Sequence, residues 1–492
     1  MLPDAPLAAV APAPGLSRYR ALLDAAAPMT VEGRVREVVG LLAEVDGIPG
    51  RVGEMCRVER PGGGEDIEAE VVGFKGERTL IMPLGDLHGV QAGARVLARG
   101  GLLTVPVGPE VLGRVLDGLG RPIDGKGPVL ASHRQPREGG SPHVLERSTI
   151  TQPLSTGVRA IDGLLTCGLG QRIGIFAGSG VGKSTVLSMI ARHASTDVNV
   201  IALIGERGRE VREFIDHNLG REGLARSVVV VSTSDEPAPL RLNAAWVATT
   251  IAEEFRTSGL NVTLLMDSVT RFAMAQREIG LALGEPPAMK GYTPSVFANM
   301  SRLLERAGTG THGTITAFYT VLVESDDLTE PVTDTVRGTL DGHIVLSREL
   351  AAENHYPAID VLQSVSRVMP AITSPEHRAA AGRMREYLAR YRRSRDLVSI
   401  GAYQPGSDPG LDEALQRLPE INDFLRQRPD QAQSLEATTG SLALAVGEQP
   451  GAPPALDTPG NPAHDTPPSE AATPVNAAAV VAEPVALHEA VS

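Results

Sequence analysis

The chain has 492 residues, enough for two to four domains, and its 42% apolar and 21% charged residues are the composition of a globular protein. A net charge of −13 argues against a broad nucleic-acid or anionic-membrane surface. Two isolated cysteines, Cys56 and Cys167, are too few for a disulfide framework or a zinc site and read as small buried side chains. No apolar run approaches the ~18 residues of a membrane span, which leaves a cytoplasmic enzyme or enzyme subunit as the expectation.

Residues 1–28 read as an N-terminal extension, Pro/Ala-rich and partly helical, and without the basic start of a signal peptide. Residues 29–105 read as β structure: Ile67–Val71 alternates with period two, Val35–Val45 and Thr79–Met82 are further runs, and Gly-rich turns such as Pro61–Gly64 separate them. Short strands at this spacing predict a small barrel. Over 106–370 strands alternate with helices, with apolar strands at Arg172–Ala177, Val198–Ile204, Val228–Val231, Val262–Met266, Thr314–Val323 and His343–Leu346. That rhythm predicts an α/β fold with a mostly parallel sheet. Residues 371–440 turn helical. Ser374-Pro375-Glu376 combines a capping hydroxyl, proline in the first turn and an acid at the positive dipole end. Met384, Leu388 and Tyr391 mark an apolar face there, and the arginines Arg378, Arg383, Arg385, Arg390, Arg392, Arg393 and Arg395 read as a solvated one. Residues 441–492 are Ala/Pro-rich, acidic and free of Lys and Arg, and read as a disordered tail.

The strongest local signal runs from Arg172 to Thr185. A strand ends at Ala177, the loop Gly178, Ser179, Gly180, Val181, Gly182 follows, and a helix opens at Lys183, Ser184 and Thr185. Glycines let backbone N–H groups turn inward around phosphate oxygens, and the helix start adds its positive end. Lys183 would reach the β- and γ-phosphates, and the Ser184 hydroxyl would coordinate Mg²⁺. Ala177 stands where the strict pattern has glycine. The strand Val262–Asp267 ends in a carboxylate, the form of a Walker B segment, so Asp267 is the second candidate for the metal; as an isolated residue it would read as a helix N-cap. Glu206 ends a strand lying between these two in sequence. In an open parallel sheet all three strands deliver their C-terminal ends to one edge, where Glu206 would orient a water toward the γ-phosphate. Glu210 and Glu213 read as solvated acids.

Together with these motifs, Leu112–Val115, Gly120–Asp124, Gly205-Glu206-Arg207, Met266–Phe272, Gly291–Phe297, Leu304–Gly308, Asp341–Arg348 and Ser364–Arg367 resemble the rotary-type ATPases over roughly residues 25–430. The resemblance is closest to the branch that drives flagellar protein export. It implies an N-terminal β-barrel, a RecA-like P-loop domain and a C-terminal helical domain, assembled as a homohexamer that hydrolyses ATP with Mg²⁺. Glu206 then corresponds to the water-activating carboxylate and Arg207 to its charged neighbour. Arg271 resembles a structural arginine or one close to the γ-phosphate. Tyr356 resembles the aromatic that stacks on adenine, with a core tyrosine before a proline turn as the other reading. Arg367 resembles an arginine finger entering the neighbouring subunit's site, with a surface ion pair as the other reading.

The implied partners are a central stalk-like protein, a negative-regulator or peripheral stalk protein, the export gate at the cytoplasmic face of the inner membrane, and export chaperones with their substrates. No nucleic acid is expected. Gly313–Glu324 with Ser325-Asp326-Asp327 resembles export ATPases more than an ATP-synthase catalytic subunit, and Ile400–Pro409 leans toward the flagellar rather than the injectisome branch. A hexameric nucleic-acid motor and a nucleotide-binding assembly protein without turnover are the alternatives from other classes.

Overall fold

The computed structural model describes residues 31–60, 64–323, 327 and 329–448. The expected N-terminal extension, most of the Pro61–Gly64 turn, Glu324–Asp326 and residues 449–492 of the expected tail lie outside the described residues.

Six antiparallel strands close the first unit: β1 (Glu32–Val39), β2 (Leu42–Asp46), β3 (Glu54–Val58), β4 (Ile67–Lys75), β5 (Arg78–Pro83) and β6 (Arg95–Leu102), in the order β1-β2-β5-β4-β3-β6. Gly40, at φ +59°, turns the Val35–Val45 run into a hairpin, so one apolar stretch supplies two strands. Val35, Val45, Val58, Ile67, Val71, Ile81 and Val96 fill the interior. Glu70 breaks the expected alternation because it is buried, and Arg137 of the following linker covers it with two 2.8 Å bonds.

The second unit is a sheet made of β7 (Val115–Leu116), β8 (Arg172–Ala177), β9 (Val198–Glu206), β10 (Ser227–Thr233), β11 (Asn261–Asp267), β12 (Thr314–Leu322), β13 (Gly342–Leu346) and β14 (Val365–Ser366). Their order is β14-β13-β8-β12-β11-β9-β10-β7. Every pair along it is parallel except β13 with β14, and a ninth strand, Gly308–Thr309, lies off this order, antiparallel to β12. Both faces are covered. Along β9, Ile201 and Leu203 enter one core while Val200, Ala202 and Ile204 enter the other, which is why the strand reads as an unbroken apolar run. Helices α1 (Lys183–His193), α2 (Ala238–Thr257), α3 (Val269–Ala282) and α4 (Pro294–Glu305) pack around the sheet.

Helices α5 (Pro375–Ser399), α6 (Pro409–Leu425) and α7 (Leu435–Ala445) form the C-terminal unit. Ser374 caps α5 as expected, accepting from His377 N at 3.2 Å. Two expectations change here. Residues 441–445 complete α7 and Leu442 is fully buried, so ordered structure continues past the tail boundary expected at residue 440. The arginine face of α5 is only partly solvated: Arg385 bonds Leu164 O, Arg392 pairs with the buried Asp360 at 3.0 Å, and Arg395 pairs with Glu349 and Glu353. Those arginines dock the helices onto the sheet domain. Cys56 and Cys167 are both buried and unpaired. Among the described residues no helix is long and apolar enough to cross a membrane.

Candidate active site

The loop that follows β8 turns at Gly180 and Gly182, with φ of +79° and +93°, a region that L side chains rarely occupy. Gly182 is the N-cap of α1, and no side chain caps that helix start. Its first N–H groups are therefore available to an anion, as the sequence motif requires. Gly178 is a close approach of another kind. A Cβ there would lie 2.6 Å from Nε of Arg348, so glycine admits that guanidinium beside the loop.

Lys183 leads α1 and points along the C-terminal edge of the sheet. Its Nζ lies 3.3 Å from Oε1 of Glu206 and pairs with Oδ1 of Asp267. The strand register explains the convergence. β11 lies between β9 and β12, with Asp267 level with Leu203 on one side and with Met266 level with Tyr319 on the other. Thr320 therefore adjoins Asp267 and donates from Oγ1 to Oδ1 at 2.8 Å. Gly205, at φ +66°, turns the end of β9 so that Glu206 faces Lys183; a Cβ at Gly205 would meet Cγ and Cβ of Arg271 at 2.9 and 3.0 Å.

The electrostatics follow from this enclosure. Burial raises the Glu206 pKa above its ordinary value, and the Asp267 charge raises it further against the opposing effect of Lys183. For Lys183 burial acts to lower the pKa, but Asp267 and Glu206 outweigh it and the net shift is upward. The lysine is thus a firmly held cation between two carboxylates.

The other expected residues are distributed unevenly. Ser184 is exposed at the start of α1. Tyr356, 39% exposed, sets its ring beside the loop, 3.5 Å from where a Gly182 Cβ would stand. Arg207, expected as a companion of Glu206 in the site, instead faces solvent and pairs with Glu210 at 3.3 Å, because the chain turns into a helix at Gly208. Arg271 lies behind Gly205 with a buried Nε that lacks a hydrogen-bond partner among the described residues. Arg367 is exposed and lies at the other end of the sheet: β14 is antiparallel, Ser366 pairs with Gly342, and Arg367 N donates to Asp341 O at 3.0 Å.

Thr320 and Arg348 were not identified from sequence. Only the register across β11 and β12 and the packing at Gly178 bring them to the loop.

Mg²⁺ can be tested against these donors. Among the described residues there is no cluster of three or more His, Cys, Asp or Glu that could cage a metal. An ion held chiefly by substrate phosphates needs only one or two protein oxygens, and Ser184 with Asp267 offers a hydroxyl and a carboxylate, the hard donors that Mg²⁺ prefers.

Known proteins match the chain along most of its length. Residues 157–366 match the nucleotide-binding domain of the ATP synthase alpha/beta family, residues 35–100 its beta-barrel domain, and residues 373–443 the C-terminal domain of the T3SS EscN ATPase. The "Flagellum-specific ATP synthase" of Bacillus subtilis (strain 168) is 53% identical over 420 residues, covering 85% of this chain and 95% of the relative. The "Type 3 secretion system ATPase" of Xanthomonas euvesicatoria is 54% identical over 416 residues, covering 85% and 94%. The assembled ATPase EscN of the enteropathogenic E. coli type III secretion system superposes with a TM-score of 0.80 at 46% identity, covering 84% of this chain and 100% of that one. EscN has also been solved in complex with its central stalk EscO, with a TM-score of 0.79.

Proposed function

This chain belongs to the family of flagellum-specific ATP synthases and type 3 secretion system ATPases, which hydrolyse ATP, and from that premise we propose that it acts as a ring of six copies energising protein export for flagellum assembly. The observation that carries the catalytic part is the convergence of Lys183, Glu206 and Asp267 at the mouth of the phosphate loop. The injectisome reading stays beside it, since relatives of both branches match at similar identity. Ile400–Pro409 is the segment that favours the flagellar one.

The loop N–H groups and the uncapped start of α1 receive the β- and γ-phosphates, and Lys183 exchanges its carboxylate partners for phosphate oxygens. Ser184 and Asp267 would hold Mg²⁺, which would supply neutralising positive charge to the phosphates. Glu206, released from Lys183, is a half-buried carboxylate of raised proton affinity and orients the attacking water. Tyr356 stacks on adenine beside Gly182. Arg367 stands about one strand length from its own phosphate loop, roughly 20 Å for the six residues of β8, and therefore completes a neighbouring copy's site. An arginine supplied in this way is worth about 10³–10⁵ in rate. Around the ring we place a central stalk-like protein, as EscN has EscO, together with a peripheral regulator, export chaperones with their substrates, and the export gate at the cytoplasmic face of the inner membrane.

Glu206→Gln should retain ATP binding while steady-state hydrolysis falls about 10²–10⁴-fold, the usual scale for a lost general base. Wild-type turnover in that variant would remove Glu206 from the mechanism. The branch is tested in the cell: a strain carrying only Glu206→Gln should lose filaments and motility, whereas intact motility with lost effector secretion assigns the chain to injectisomes.

A further inference from the structure

Gln427 belongs to the C-terminal unit, two residues beyond the end of α6, yet it is 95% buried against the nucleotide domain. Its backbone N donates to Tyr356 O at 2.9 Å. Its side chain spans a turn of the nucleotide domain, with Oε1 accepting from Arg159 N at 2.8 Å and Nε2 donating to Gly157 O at 2.7 Å and to Gln431 O. One residue, through its backbone N and its side-chain amide, thus ties three segments together, and one of them carries the ring beside the phosphate loop.

The turn it holds is rigid for separate reasons. Asp162, fully buried, accepts from Thr156 N, Thr156 Oγ1, Gly157 N and Ser155 Oγ at 2.6–3.2 Å. Gly157 has φ +77°, and a Cβ there would stand 2.5 Å from Cβ of His193, the last residue of α1. The turn is therefore seated against the far end of the helix that begins with Lys183. Arg159 adds a second tie, donating from Nη2 to Asp423 O at 3.0 Å. A closed path results: phosphate loop, α1, the Ser155–Arg159 turn, Gln427, Tyr356, and back to Gly182.

We propose that Gln427 is a positioning residue through which the C-terminal helical unit sets the Tyr356 ring relative to the phosphate loop, and so sets affinity for ATP. The inference rests on the reading of Tyr356 as the adenine contact. With the amide anchored, the Gln427 backbone N holds the Tyr356 carbonyl at one position. Without the two side-chain bonds to the Gly157–Arg159 turn, that N–H moves with the C-terminal unit and the ring loses its fixed distance from Gly182. The contact with the base adds equally to ground and transition states, so its loss belongs in KM and leaves kcat alone.

The experiment is a double-mutant cycle on the full chain, with KM and kcat for ATP and a thermal melt for each variant. Gln427→Leu is of similar volume and removes all three side-chain bonds; it should raise KM about tenfold with kcat within about twofold. Gln427→Glu keeps the acceptor for Arg159 N and should raise KM less. In a Tyr356→Ala background Gln427→Leu should add almost nothing to KM, since contacts acting through one another are not additive. A merely structural role would lower Tm and the yield of active enzyme, hence apparent kcat, and leave KM in place. The inference is overturned if Tyr356→Ala raises KM while Gln427→Leu does not, or if the two effects on KM multiply. Tyr356→Ala without effect on KM removes the adenine reading itself, and this inference with it. Should Gln427→Leu not fold, Gln427→Glu carries the same cycle with the same two overturning outcomes.

Discussion

At the scale of single residues, the proposed role of Glu206 makes the arrangement around Lys183 a substrate-gated base. With the lysine between Glu206 and Asp267, the carboxylate proposed to activate water is occupied by a cation. Phosphate oxygens compete for that cation, so arrival of substrate removes the charge that stabilises the Glu206 anion. Burial and Asp267 already hold the Glu206 pKa above its ordinary value of 4.5. The base works only as the anion, which is lost as pH falls through that raised pKa. The acid limb of the single-turnover pH profile should therefore lie above the usual carboxylate range, and the residual activity of Glu206→Gln should show no such limb. An acid limb of unchanged position in Glu206→Gln would assign the titration elsewhere. Most residues at this scale were legible in the sequence. A glycine-rich loop between strand and helix and a carboxylate at a strand end are local patterns with one common use. Arg207 was not legible, because adjacency in the chain to Glu206 says nothing about direction once Gly208 starts a helix.

At the scale of elements, the tie between the barrel and the sheet domain is a buried ion pair. Arg137, in the linker after the barrel, clasps Glu70 of β4 with two bonds, reaches Asn243 of α2, and offers its own carbonyl to Thr250 and Arg306. Both charged side chains of the Arg137–Glu70 pair are only 11% exposed. Removing one member of such a pair strands the other in a poor solvent. Arg137→Ala should lower stability by about 3–5 kcal/mol in a denaturant titration, against little effect for an exposed pair such as Arg428–Asp430. An Arg137→Ala chain as stable as the parent would mean that water reaches Glu70. The pattern of α5 announced its start but not its docking, since an arginine facing solvent and one facing Asp360 look alike in sequence. The end of the C-terminal unit was missed for a related reason. Leu435–Ala445 is dominated by small residues and Leu, which compositional reasoning cannot separate from a low-complexity tail, and burial of Leu442, Ala443 and Ala445 against the other helices decides the matter.

At the scale of the whole molecule, one chain holds a phosphate loop at one edge of its sheet and an exposed arginine at the opposite edge. Stacked copies would bring the two edges together, and each site would be finished by its neighbour. Chains carrying Arg367→Ala and chains carrying Glu206→Gln should each be nearly inactive. Mixed before assembly, they should recover part of the ATPase rate, because some interfaces then contain both intact groups. No recovery at any ratio would mean that Arg367 does not act across copies.

By itself the sequence determined the chemistry available to this protein: a loop that cradles phosphate, strands ending in Glu206 and Asp267, and a barrel, sheet and helices in that order along the chain. Each is encoded by spacing or periodicity over about twenty residues or fewer. Tertiary structure decided which of these groups meet. β8 pairs with β12 and β13, more than 130 residues later in the chain, and β11 lies between β12 and β9. Only that strand order sets Lys183 between two carboxylates, brings Thr320 to Asp267 and sends Arg367 to the far edge. Strand order is chosen by packing of both sheet faces at once, a long-range free energy that no local pattern contains.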